Sequence, residues 1–503
     1  QSYLNTVYYG HVDGVAVHGL GTAARAFFSK PAEDLTLAEA ALLAAVLQAP
    51  NALSPSRHPD AAKKRRDLAL DRMEELGWAA ASEVATAKAT PVRLNESPPP
   101  RFGATHFRAW VVDTVEESLD ERLERGLGFA ADTTLDPYLQ ALAEEAVRDQ
   151  LAALRRSTPR LRDVGLTGAL VAVDAESGAV LAHVGGDPAA GDDFDRVTRA
   201  RRQPGSVVKP LLLLEAFEDC GERERLTPAT LVSDEALTLD LPTGPWTPSN
   251  HDGRHHGVVD IRTALRHSYN LPFVRVSQWC GPVPTAARLA AAGLSLPTAP
   301  PPSFALGTVE ATPLEMAGAY TVFAHLGRAA QPYAVARIEK PGGGKLERER
   351  PQARRVSSRA TAWLVRDLLR DVVENGTGRS ADIPDLSVVG KTGTTSADAW
   401  FIGHAGSVVT AVWIGRDDGE KLGLSGGRSA APVFRTFMEQ AVPARPPLEV
   451  AQPGSVVERR INPDTGRRVA TPFSEGETEV FRRGTAPKRD PILGSGEAPD
   501  VIR

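Results

Sequence analysis

Apolar and polar positions along the chain predict a helical beginning, a mixed middle and a polar end. Thr36-x-x-Glu39 has the form of a capping box, and the apolar run Ala40–Leu47 behind it stops ahead of Pro50, which predicts a helix. A second helix is expected to carry Arg65–Met73, and Ser97-Pro98-Pro99-Pro100 is a stiff break after it. Phe107–Leu127 has helical periodicity, Thr133-Thr134-Leu135-Asp136-Pro137 reads as a short strand and turn, and Tyr138–Leu154 reads as a helix. Ala169–Val173 and Ala179–Val184 flank Asp174-Ala175-Glu176-Ser177-Gly178 as a hairpin would. A helix over Ser358–Asn375 should end with Gly376 as its C-cap. Strand patterns return at Leu386–Thr395, Asp398–Gly403 and Val408–Gly415. Strands early, helices between and strands late predict an α+β domain with an antiparallel sheet. Beyond residue 445 the chain is rich in Pro, Gly, Arg and Glu. Ile461–Gly466 signals a small hairpin, and the rest reads as poorly ordered surface chain.

Composition narrows the class. The 503 residues suggest two to four domains, and 42% hydrophobic content is enough for real cores. A net charge of −5 argues against a nucleic-acid binder. No apolar stretch approaches the roughly 18 residues of a membrane span. The first residue is Gln, so the chain reads as a mature or truncated piece. Cys220 and Cys280 are too few for a disulfide scaffold or a zinc site, and they read as separate buried thiols, with one disulfide as the alternative.

The chemistry centres on Ser206. Pro204 and Gly205 break the chain just before it, and the helix-compatible run Lys209–Leu214 follows. A helix N-terminus there would favour developing negative charge, and Lys209 would share a face with the serine. A serine hydroxyl becomes a nucleophile when a base takes its proton, and a lysine serves if burial and nearby cations lower its pKa. Two more motifs follow in order, Ser268-Tyr269-Asn270 and Lys391-Thr392-Gly393-Thr394, at separations of about 60 and about 120 residues. The three together resemble the motif set of serine β-lactamases and penicillin-binding proteins.

The rest of the chain strengthens that resemblance. Trp246-x-Pro248-x-Asn250, Ala305-Leu306-Gly307, Pro313-Leu314-Glu315-Met316-Ala317-x-Ala319-Tyr320 and Gly376-Thr377-Gly378 resemble segments of class A penicillin-binding transpeptidases, nearly continuously from Ala169 to Ala441. Tyr3-Leu4-Asn5, Ala26-Phe27-Phe28-Ser29-Lys30, Leu35–Ala44, Gln48-Ala49-Pro50 and Arg65-Arg66-x-x-x-Leu70-x-Arg72-Met73 resemble the later motifs of that family's peptidoglycan glycosyltransferase domain. The family's earlier motifs and catalytic glutamate do not occur, and Gln1 stands where a second carboxylate is expected; an amide takes no proton as a carboxylate does. The resemblance therefore implies a glycosyltransferase remnant over 1–97, loosely folded and with its activity lost, then a joining region over 98–165, a β-lactamase-like transpeptidase domain over 166–445 and a partly disordered tail over 446–503.

It further implies a serine DD-transpeptidase that cross-links peptidoglycan stem peptides, from a D-Ala-D-Ala donor to an amine acceptor, and is acylated by β-lactams. In this reading Ser206 is the nucleophile and Lys209 its base. Ser268 relays a proton to the departing D-alanine. Asn270 bonds the substrate amide and fixes Lys209. Lys391 supplies positive potential, and Thr392 and Thr394 hold the terminal carboxylate. Gly393 leaves room for substrate on the strand edge, and the backbone N–H groups of Ser206 and Thr394 form the oxyanion hole. Other implied partners are a lipid-linked precursor and cell-wall synthesis proteins, at the extracytoplasmic face of a bacterial membrane. The family needs no cofactor or metal, although His251, His255 and His256 with Asp252 resemble a ligand cluster on residue type alone. The rival readings are a DD-carboxypeptidase, a serine β-lactamase and a non-catalytic β-lactam sensor.

Overall fold

The computed structural model describes residues 4, 7–12, 15–28, 30–94, 104–118, 130–162, 164–221, 223–339, 345–347, 350–445, 450–469, 475–490 and 500–503. Gln1, Tyr3, Asn5, Ser29, the Ser97–Pro100 break and the second half of the Phe107–Leu127 pattern lie outside them. The chain forms two compact units, one of residues 1–103, 111–132 and 335–348, the other of 104–110, 133–334 and 349–503. Among the described residues no helix is long and apolar enough to cross a membrane.

The smaller unit is not purely helical. Tyr8–Val12 and Val15–His18 form an antiparallel hairpin ahead of the helices Leu20–Phe28, Leu37–Val46, Pro59–Glu75 and Ala81–Ala89. The capping box is real: Glu39 N–H donates to Thr36 Oγ1 at 3.3 Å and Thr36 N–H to Glu39 Oε2 at 2.9 Å. The loose folding expected over 1–97 is not what the described residues show. Tyr9, Phe27, Leu42, Leu43 and Val46 pack in one buried cluster, and Ala38, Ala41, Leu70 and Val84 in another. The unit also takes Val335–Glu339, which lies between Ala130–Thr133 and Lys345–Glu347 in a three-stranded sheet. A segment expected inside the transpeptidase domain thus joins the smaller unit, because a strand edge is completed by whichever chain reaches it, however distant in sequence.

The larger unit is built on a five-stranded antiparallel sheet. Its strands are β1 (Leu166–Asp174), β2 (Val180–Val184), β3 (Val389–Thr394), β4 (Ala399–Ala405) and β5 (Val408–Arg416), in the order β3-β4-β5-β1-β2. β1 and β5 are buried at nearly every position, so they read as continuous apolar runs: both faces of the sheet are covered. On one face, helices α1 (Pro137–Ser157) and α7 (Gly426–Ala441) contribute Leu139, Val147, Leu151, Phe434, Phe437 and Met438 to a core with Leu170, Phe401, Val412 and Ile414. Asp136 caps α1, accepting from the N–H groups of Tyr138 and Leu139 at 3.0 and 3.2 Å.

The remaining helices that matter for the site are α2 (Lys209–Glu218), α3 (Ile261–His267), α4 (Leu271–Cys280), α5 (Pro313–Ala324) and α6 (Arg359–Asn375). Ser358 caps α6 and Gly376 ends it. The two cysteines are not separate thiols: Cys220, just beyond α2, and Cys280, the last residue of α4, form a disulfide. The stretch after 445 is more ordered than its composition suggests. Val456–Ile461 pairs with Glu477–Arg482, whose Phe481 is fully buried. Val501–Ile502 runs parallel to Leu231–Ser233, which also pairs with Val258–Asp260. Short amphipathic strands in a polar, Pro-rich setting carry little periodic signal, and their partners are remote.

Candidate active site

The site grows out of one sharp bend. Gly205 adopts a left-handed φ of +59°, and Ser206 follows in a 3-10 turn, Gly205–Val208, that runs directly into α2 at Lys209. The expected helix start is therefore a tighter turn joined to an α-helix, and the three-residue spacing still sets both side chains on one face. The bend is held by three hydrogen bonds. Gly205 N–H donates to Gly307 O at 3.2 Å, the Trp400 indole N–H to Gln203 O at 3.0 Å, and the Tyr320 hydroxyl of α5 to Val207 O at 2.5 Å. Gly307 is itself left-handed at φ +75°, and a Cβ there would lie 2.2 Å from Gly205 O.

A second element brings Ser268 and Asn270 to the bend. Asp260 caps α3 through Thr263 N–H at 2.6 Å, and the helix ends at Ser268 in a left-handed conformation, φ 63° and ψ 33°. A non-glycine residue pays about 1–2 kcal/mol for that geometry. It turns the carbonyls of Ser268 and Tyr269 onto the Lys209 amine, at 2.7 and 2.8 Å, with Asn270 Oδ1 the third acceptor at 2.7 Å. From behind, α3 is tied to α6 by Arg262–Asp367 and Arg266–Asp371, both at 2.7 Å, and to the C-terminal hairpin by Arg262–Glu479 at 2.5 Å. Burial opposes the Arg262 charge, but Glu479 and Asp367 outweigh it and hold its pKa above the usual range.

The third side is β3, the edge strand of the sheet. Lys391 Nζ donates to Ser268 Oγ at 2.8 Å and to Thr392 O at 3.1 Å. Thr392 shares a 2.8 Å hydrogen bond with Thr377, and Thr394 Oγ1 accepts from Gly426 N–H at 3.1 Å, which leaves its own proton to donate. The space beside Gly393 does not open to substrate as expected. A Cβ there would meet Pro204 O at 2.4 Å and Val207 Cγ1 at 3.0 Å, so the glycine lets β3 close against the Ser206 turn. A Cβ on Gly205 would lie 3.4 Å from Thr394 N, which shows how near the two backbone segments run.

Two buried lysines define the electrostatics. Burial pushes the Lys209 pKa well below the ordinary lysine range, the Lys391 charge lowers it further, and Asp234 acts the other way. Burial pushes Lys391 down to about 7. Hydrogen bonds bring Lys209, Ser268, Asn270 and Lys391 together, and β3, which carries Thr392, Gly393 and Thr394, packs through Gly393 against the turn that holds Ser206. The histidines do not converge on a metal position. His255 Nδ1 bonds Asp234 O at 3.0 Å, and His256 sits between Asp234 and Asp252. Among the described residues no group of three or more metal-ligating side chains faces one point. Sequence reasoning gave no role in the site to Gly307, Tyr320, Thr377 or Trp400, although all four lie in quoted segments; Trp400 pairs with Gly393 across the sheet.

Comparisons with known proteins agree with this architecture. The penicillin binding protein transpeptidase domain model matches residues 168–439, and the transglycosylase model matches residues 1–74. Penicillin-binding protein 1B of Vibrio cholerae is 32% identical over 451 residues, covering 88% of this chain but 57% of that protein. Penicillin-binding protein 1A of Aquifex aeolicus is 30% identical, covering 97% of this chain and 76% of that one. The crystal structure of penicillin-binding protein 1A from Haemophilus influenzae matches with a TM-score of 0.76 and 25% identity over 97% of this chain and 91% of its own. PonA1 of Mycobacterium tuberculosis, in complex with penicillin V, matches with a TM-score of 0.58 and 25% identity over 70% of this chain and 96% of its own. The chain, with its transpeptidase match spanning more than half its length and a transglycosylase portion ahead of it, belongs to the class A penicillin-binding proteins.

Proposed function

We propose that the chain cross-links peptidoglycan stem peptides through an acyl-enzyme on Ser206. The observation that carries this is Lys209: an amine with no exposed surface, three residues beyond the serine, held by three neutral oxygens and beside a second buried lysine. In the neutral form its two N–H groups donate among those oxygens and its lone pair takes the Ser206 proton while Oγ attacks the carbonyl carbon of the penultimate D-alanine. The tetrahedral oxyanion lies between the N–H groups of Ser206 and Thr394, a stabilisation worth about 10²–10³ in rate. As the C–N bond breaks, Ser268 gives its hydroxyl proton to the departing D-alanine amine and regains one from the Lys209 ammonium, which returns Lys209 to its neutral form. An amine from a neighbouring stem peptide then attacks the ester, its proton returns through the same groups, and Ser206 is regenerated.

Lys391 and the hydroxyls of Thr392 and Thr394 bind the donor's terminal carboxylate, and Asn270 bonds its amide. A β-lactam enters by the same attack, with the ring amide in place of the peptide bond. A disulfide supports placement in an oxidising, extracytoplasmic compartment. Intact-mass spectrometry after exposure to penicillin tests the reading. One adduct is expected, persistent over hours and absent from Ser206→Ala. An adduct that survives the substitution removes the nucleophile assignment, and release within seconds means a β-lactamase.

A further inference from the structure

Behind the Ser268–Asn270 turn lies a buried carboxylate to which the reaction gives no part. Asp234 follows the strand Leu231–Ser233 and has no exposed surface. Its two oxygens accept from Asn250 Nδ2 at 2.9 and 2.7 Å, and Oδ2 also accepts from His256 N–H at 2.9 Å and His256 Nδ1 at 2.7 Å. The carboxylate thus faces donors, and an amide or hydroxyl in its place could not serve all of them.

Asn250, itself buried, reads this charge directly. Its NH₂ group faces both Asp234 oxygens and Arg254 O at 2.8 Å, all acceptors, so the amide has one permitted orientation. Its Oδ1 consequently points away and accepts the Asn270 backbone N–H at 2.6 Å. The neighbouring Ser249 carbonyl accepts Asn270 Nδ2 at 2.7 Å, which orients the second amide and leaves Asn270 Oδ1 to Lys209 Nζ at 2.7 Å. Residues 249 and 250 therefore grip Asn270 by main chain and side chain together. On the other side, the His256 ring stacks on Tyr269 at 3.9 Å and an interplanar angle of 13°, so the same carboxylate also steadies the middle residue of the turn.

We propose that Asp234 is a positioning residue of the transpeptidase centre: through Asn250 it fixes Asn270, and through His256 it fixes Tyr269, so that the acceptors holding the Lys209 amine stay in place. The inference rests on the proposed role of Lys209 as the base. It is a matter of preorganisation, since a displacement of about 1 Å in a group that aligns the reacting atoms costs about 10²-fold in rate. Among the described residues, the charged groups acting on Lys209 are Lys391 on β3 and, one layer out, Asp234, with the Phe273 ring of α4 and the 268–270 turn against its amine.

The test is Asp234→Asn in the full chain, which keeps the volume and removes the charge. Three quantities are measured: the second-order rate of penicillin acylation, its pH dependence and the melting temperature. Acylation should fall about 10²-fold, the rising limb of its pH profile should move to lower pH as a negative charge near Lys209 is lost, and the adduct should still form on Ser206. Asn250→Ala, which leaves Asp234 with His256, should lower the rate without that shift of the limb. This variant carries the test if Asp234→Asn does not fold. Either variant acylating within about threefold of wild type, or an Asp234→Asn loss that follows the melting temperature with an unmoved pH limb, overturns the inference. A Ser206→Ala chain that still takes the adduct would instead overturn the reading of the site itself.

Discussion

Gly393→Ala tests the seating of β3 on the Ser206 turn most directly. The added Cβ would stand 2.4 Å from Pro204 O, 3.0 Å from Val207 Cγ1 and 3.1 Å from Trp400 Cβ, whereas real Cβ atoms essentially never come nearer than 3.0 Å. The first obstacle is main chain, in a bend that Gly307, Trp400 and Tyr320 hold, so no rotamer change relieves it. β3 and the Ser206 turn must part by at least 3.0 − 2.4, about 0.6 Å, and a relaxed contact needs about 1 Å. Lys391 and Thr394 ride on β3 and would move with it. A misplacement of about 1 Å costs about 10²-fold, or about 2.7 kcal/mol of barrier, and overpacking of this kind lowers stability by about 1–3 kcal/mol. Stopped-flow acylation with a fluorescent penicillin measures the first quantity and denaturant unfolding the second. Gly454→Ala, at a position where a Cβ would meet nothing within 4 Å, is the matched control and should behave as wild type. Gly393→Ala acylating within about threefold of that control would refute the argument that β3 is seated on the Ser206 turn.

Two further outcomes follow from the charges and the disulfide. A plot of acylation kcat/KM against pH should rise as Lys209 loses its proton and fall as Lys391 loses its own, with the falling limb near pH 7, since the Lys391 charge is present below its lowered pKa and lost above it; a profile that stays level up to pH 9 would count against that role for Lys391. Replacing both cysteines by serine opens a loop with a sequence separation of 60 residues. Chain entropy for such a loop gives a stability loss of about 4 kcal/mol, read by urea unfolding, and a loss below about 1 kcal/mol would contradict the entropic account.

Much of this architecture was legible locally. The capping box at Thr36 and Glu39, the hairpin around Glu176, the apolar strand Val408–Arg416 and the Ser206–Lys209 spacing each depend on residues a few positions apart. What sequence could not show depends on partners far along the chain. Nothing near Glu479 announces an ion pair with Arg262, 217 residues away, and nothing near Val335 announces a strand beside Ala130–Thr133. The cysteines failed as a signal for the same reason: two residues allow either pairing or separation, and only the packing of α2 along α4 decides. Gly393 shows a subtler limit. Its small size was evident, but whether the vacated space belongs to substrate or to Pro204 is a question of which backbone arrives first.

The helices α2 and α4 are joined at both ends, by Lys209 and Asn270 where they begin and by Cys220 and Cys280 where they finish. Each is ten residues long, about 15 Å at 1.5 Å per residue, so the covalent link acts as the far end of a lever whose pivot is the lysine amine. If the link were cut and the far ends spread by about 2 Å, the tilt at the pivot would be about 8°, inside the roughly 10–20° that a reactive constellation tolerates. Reduction should therefore shorten the lifetime of the folded chain while those molecules still folded react with penicillin at nearly the original rate. Redox conditions would set how many working copies a cell keeps, and the speed of each copy would remain a property of the pivot.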